Sequence, residues 1–70
     1  MSYEAYFEHY RRVVEKAVAL AERAERPSAH ELASLVAAAS QLGGLLHVTS
    51  EGVVGDGLTR VERALSEVKV

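Results

Sequence analysis

The stretch 32–50, LASLVAAASQLGGLLHVTS, is the longest run of the chain without Lys, Arg, Asp or Glu, and its reading decides the fold. Just upstream, Pro27-Ser28-Ala29-His30-Glu31 carries a helix start. The Ser28 hydroxyl can accept from the backbone N–H of Glu31 while the Glu31 carboxylate reaches back to the N–H of Ser28, the reciprocal capping box. Leu32, Leu35, Val36, Ala39, Leu42 and Leu46 then recur at three- and four-residue intervals, as one face of a helix requires. Ala33, Ala37, Ala38 and Ser40 reduce the bulk of the other faces. A helix this poor in polar side chains needs neighbours on more than one side.

The same run has about the length of a membrane span, and it fails that reading. Gln41 and His47 fall within it, Ala and Ser dilute its hydropathy, and Glu31 and Glu51 flank it in place of Lys/Arg or Trp/Tyr anchors. No membrane association is expected.

Working outward towards the N-terminus, Ser2 can cap a first helix and Glu4 sits in its first turn, where the helix dipole favours a carboxylate. Tyr3, Phe7, Tyr10, Val14, Ala17, Ala21 and Ala24 form an apolar stripe, widened by Tyr6, Val13, Val18 and Leu20, that is expected to face the core. The other face holds charges, with Glu8 four residues before Arg12 and Glu22 four before Arg26, spacings at which a pair contributes roughly 0.3–0.5 kcal/mol. Pro27 stops the helix, because it disfavours helical geometry at the preceding residue and offers no N–H. A link this short makes the first two helices an antiparallel αα-hairpin.

Gly43-Gly44 either ends the second helix with a left-handed cap or stays helical; the phase of Leu42 and Leu46 favours continuation to about Leu46. Between His47 and Gly57 the chain is richest in turn formers, and Asp56 is expected to cap a third helix with Leu58, Val61, Leu65 and Val68 inward. Val54 lies in phase with Leu58, so a start near Ser50 that carries three glycines is the alternative. The expected helices are therefore about 2–25, 28–46 and 56–68, and the expected fold class is all-α: one domain, 1–70, of three helices built on an antiparallel hairpin and dimerising into a larger bundle.

At 70 residues a single core stabilises only marginally, and no cysteine is present to supply a disulfide or a thiolate metal site. Cysteine-free composition fits a cytoplasmic setting, and MSYEAYFEHYRR has aromatics and charges where a signal peptide would have a basic start and an apolar run. A formal net charge of −2 disfavours general binding to nucleic acid.

Catalysis is not expected. Ser34, Ser40, Thr49 and Ser50 lack a nucleophile elbow, and His9, His30 and His47 lack the i, i+3 or i, i+4 ligand spacing that a metal site on a helix needs, so neither cofactor nor metal is called for. Gly55-Asp56-Gly57 before a helix lacks the lysine and the strand of a phosphate-binding loop, and Asp56 would repel a phosphate. Arg60 and Arg63, one turn apart, are candidate contacts for an anion or an acidic partner, and a nucleic-acid-binding regulator would need them continuous with Arg11 and Arg12.

All four aromatic residues, Tyr3, Tyr6, Phe7 and Tyr10, lie within the first ten, and a ring that carries a hydroxyl suits a place that is half apolar and half wet. Together with Leu35, Leu42 and Leu46 they form the expected interface of a homodimer. The function expected from these features is non-enzymatic: a small interaction protein that binds another macromolecule through helical surfaces and pairs with itself. In size, helical pattern and lack of catalytic motifs the chain resembles, in general terms, small phage-encoded proteins that block bacterial defence systems by binding a protein or sequestering a small ligand. Antitoxins and assembly adaptors share the same outline, which implies binding rather than chemistry.

Overall fold

The computed structural model of the protein describes residues 3–70, so the expected Ser2 cap lies outside the described residues. Its elements are α1 (Tyr3–Glu22), α2 (Ala29–Gly44), a 3-10 turn (Leu45–His47) and α3 (Glu51–Ser66), with no strand among the described residues. The fold class expected from the sequence, all-α with three helices, is what the structure has.

The capping box at the start of α2 is formed in both directions: Glu31 N–H donates to the Ser28 hydroxyl at 3.0 Å and Ser28 N–H donates to the Glu31 carboxylate at 3.1 Å. At the other end α2 runs through both glycines into the 3-10 turn, and among the described residues no glycine takes a positive φ. Continuation past Gly43 is thus correct, and the phase of Leu42 was the right guide.

The third helix starts at Glu51 with Ser50 at the N-cap position, six residues before the expected cap Asp56 and where the alternative reading put it. Asp56 is an exposed residue inside the helix. Val54, Leu58, Val61 and Leu65 all point into the core, and their burial holds the glycine-rich segment helical against its propensity. Gly57 is the one glycine of this segment that packing explains. A Cβ there would stand 2.5 Å from Leu45 Cδ2, so its absence lets the leucine seat directly on the α3 backbone.

The core is built by α2 and α3: Ala38, Leu42 and Leu45 meet Val54, Leu58, Val61 and Leu65. α1 adds Ala5, Tyr6 and Val13 around the edge, and its one fully buried residue among those described is Leu20. His30 and Glu31 of α2 lie beside Glu67 and Lys69, whereas Leu45 lies beside Gly57, so α2 and α3 are antiparallel. Arg12 meets Glu62 and Lys16 meets the Val68 carbonyl, so α1 runs parallel to α3 and antiparallel to α2, as a hairpin requires.

The stripe on α1 is where the structure departs most from expectation. Tyr3, Phe7, Tyr10, Val14 and Val18 are exposed, and the side of α1 turned to the rest of the molecule carries His9, Arg12 and Lys16, with Arg23 just beyond its end. The helix is rotated by roughly a third of a turn from the orientation that its apolar stripe alone would choose. Its long basic side chains explain the rotation, because each finds acceptors on or beyond α3. Arg12 donates to Glu62 at 3.1 Å, Lys16 to the carbonyls of Val68 and Val70 at 3.1 and 2.9 Å, and Arg23 to the carbonyl of Lys69 at 3.2 Å. Arg11, not Arg12, pairs along the helix, with Glu8 and, at 2.9 Å, with Glu15.

Candidate interaction surface

α3 packs against one side of the α1–α2 hairpin, and the opposite side is bare. On α1, residues 3, 7, 10, 14 and 18 lie nearly opposite His9, Arg12 and Lys16, which contact α3; on α2, residues 32, 36, 39 and 43 lie nearly opposite His30, which contacts Glu67. Both stripes are exposed, and α3 covers neither of them. Tyr3, Phe7, Tyr10, Val14 and Val18 from α1, with Leu32, Val36 and Leu46 from α2 and its 3-10 extension, are each between 43% and 63% exposed. Exposed large apolar residues scattered singly are ordinary on soluble proteins; eight on one side of a 70-residue chain are not.

The two edges of this face differ. Beside α1 runs a charged rim of Glu4, Glu8, Arg11, Glu15 and Glu22, all exposed. Beside α2 the rim is uncharged and small, Ala29, Ala33, Ala37, Ser40 and Gly44. Tyr6 packs edge-on against Phe7, with ring centroids 5.6 Å apart and planes at 84°, so one ring of the pair touches the core and the other stands out from it.

Of the residues expected at an interface, Tyr3, Phe7, Tyr10 and Leu46 are on the bare face, while Tyr6 and Leu35 are half-buried against the core. Leu42 is different. It is 2% exposed inside its own chain, between α2 and α3, so in this arrangement it offers nothing to a second molecule. Val14, Val18, Leu32 and Val36 belong to the surface although their apolar phase reads as core; for Val14 and Val18 the signal is the basic side chains on the other flank of α1, which reach acceptors on or beyond α3. Arg60 and Arg63 are exposed on the solvent side of α3, and they do not extend to Arg11 and Arg12, whose guanidinium groups are held by Glu8, Glu15 and Glu62.

A second polar feature closes the loop end of the hairpin. Arg23 makes a two-pronged contact with the Glu31 carboxylate at 2.8 and 2.9 Å, and Glu31 also accepts the backbone N–H of Ser28 and, at 3.0 Å, of Lys69. The Arg23 hydrogen bond first, then those two N–H groups, hold the Glu31 carboxyl far below the usual range. An opening of about 510 Å³ lies over this clasp, lined by Ala24, Glu25 and Arg26 besides the clasp residues. The polar atoms of the clasp are spent on one another, joining the end of α1, the start of α2 and the segment after α3. The loop carbonyls of Glu25 and Arg26 also accept from Arg23, which draws the chain away from helical geometry after Glu22, three residues before the expected end.

His9 contacts the Ala5 carbonyl and Glu62, His30 contacts Glu67, and His47 is exposed in the 3-10 turn. Among the described residues no group of three or more His, Cys, Asp or Glu side chains gathers as metal ligands would, and no buried side-chain polar atom lacks a hydrogen-bond partner. Nor is any described helix long and apolar enough to cross a membrane. Compared with protein-family models, curated proteins and solved structures, the chain gave no match.

Proposed function

We propose that the protein acts by association rather than by chemistry: a small interaction protein that forms a homodimer through the bare face of the α1–α2 hairpin and presents its remaining helical surface to another macromolecule. The observation that supports this reading is the apolar face itself, five large residues of α1 and three of α2 and its extension left half-exposed on the side that α3 does not cover. Water around such a face is released when a partner covers it, at roughly 25 cal/mol per Å² of apolar area removed. One long side of the molecule measures 40 by 16 to 19 Å, roughly 640–760 Å² in plan, close to the ~800 Å² per partner that specific complexes bury.

Pairing through this face leaves α3 outward, with Asp56, Arg60, Arg63 and Glu67 on a mixed-charge surface open to another macromolecule. Light scattering over a concentration series tests the dimer. The expected mass is two chains at about 100 µM, and Phe7→Glu and Val36→Glu should return single chains with unchanged helical circular dichroism, because both sites are exposed in the isolated chain. A parent mass of one chain at every concentration would reject the reading.

A further inference from the structure

We infer that the two chains pair about a two-fold axis parallel to the helices, so that α1 of each chain lies over α2 of the other and the exposed rings of α1 seat on the partner's small-residue segment around Ala39 and Gly43. This arrangement rests on the dimer proposed above and adds its geometry. Two hairpins laid face to face with two-fold symmetry along or across their helices have two arrangements open to them. An axis across the helices stacks α1 on the partner's α1 and brings the two charged rims together, each with four carboxylates, Glu4, Glu8, Glu15 and Glu22, against one guanidinium, Arg11. Like charges facing each other at a closing interface oppose association. An axis along the helices instead sets each charged rim beside the partner's uncharged rim, Ala33, Ala37, Ser40 and Gly44.

Size points the same way. Away from the connecting loop α1 offers Tyr3, Phe7 and Tyr10, and towards the same end α2 offers Ala39, Gly43 and Gly44, so large side chains meet a shallow surface only if α1 lies over α2. The two glycines add to the shallowness of this surface: each is helical, and without a Cβ it leaves the α2 backbone open to a ring from a second chain.

Because the chain has no cysteine, single-thiol variants report the pairing directly. Val14→Cys, Val36→Cys, Phe7→Cys and Val18→Cys are exposed replacements, and mixtures are refolded together before mild oxidation. A mixture of Val14→Cys and Val36→Cys should give the mixed disulfide, and Val14→Cys alone should not cross-link, because the two copies of Val14 then lie on opposite sides of the axis. Ready cross-linking of Val14→Cys with itself, or of Phe7→Cys with Val18→Cys, identifies the crosswise arrangement and overturns this one while leaving the dimer standing. Absence of the Val14–Val36 disulfide in a mixture that scattering shows to be dimeric overturns it as well. A parent that stays a single chain removes both the arrangement and the dimer beneath it.

Discussion

Helices α1 and α3 are similarly amphipathic in sequence, yet they are held in opposite ways. α3 buries Val54, Gly57, Leu58, Val61 and Leu65 against α2, so its apolar stripe and its contact face coincide. α1 buries Leu20, touches the core through Ala5, Tyr6 and Val13, and is otherwise fastened by His9, Arg12, Lys16 and Arg23 reaching acceptors on or beyond α3. The contrast teaches that an apolar stripe marks a face that wants covering without saying by whom. In α3 the cover is the same chain; in α1 the stripe is left exposed.

That comparison can be broken most sharply at the core. Leu65→Ala removes a side chain with no exposed area, and unfolding in denaturant should show a loss of about 2–5 kcal/mol. Val14→Ala, an exposed apolar residue of α1, should cost the isolated chain under about 0.5 kcal/mol when measured at dilution. Equal losses at the two sites would mean that α1 is as firmly packed as α3.

Next in size is Gly57→Val, whose added atoms press on Leu45, with an expected loss of about 1–3 kcal/mol and a lowered melting temperature. The clasp at Glu31 comes below these, and its signature is pH. A carboxyl whose folded value is depressed stabilises the fold above its unfolded value, near 4.5, and that stabilisation is lost as pH falls towards the folded value. The parent should therefore lose stability progressively below about pH 4.5, and Glu31→Gln, less stable at neutral pH, should show a flatter acid limb. A parallel acid limb in the two proteins would place the acid sensitivity elsewhere. An effect of opposite sign is expected for Gly55→Ala: open space surrounds the site, so helix propensity alone acts and thermal melting should show a gain of about 0.5–1 kcal/mol.

Where apolar phase and local chemistry agreed, the sequence was enough. Ser28 and Glu31 spelled the start of α2, Pro27 enforced the hairpin, and Leu42 carried the helix through Gly43. Two features were less legible. The start of α3 was divided between a cap at Asp56, because glycines at 52, 55 and 57 read as a turn, and a start near Ser50, because Val54 is in phase with Leu58; the structure has the second. The rotation of α1 was hidden because it depends on acceptors more than forty residues away, Glu62 and the carbonyls of Val68 and Lys69, which no local pattern reveals. On α2, Ala38, small and unremarkable among its neighbours, is fully buried, while Leu32 and Val36 face outward.

The central claim is that α1 is incomplete until a second chain covers it. Amide hydrogen exchange measured at about 1 µM and about 100 µM reads this directly, since opening free energies report each helix separately. The account predicts that protection of the α1 amides from 11 to 21 rises with concentration while that of Leu58 to Leu65 in α3 changes far less. Protection of α1 that is the same at both concentrations would contradict it.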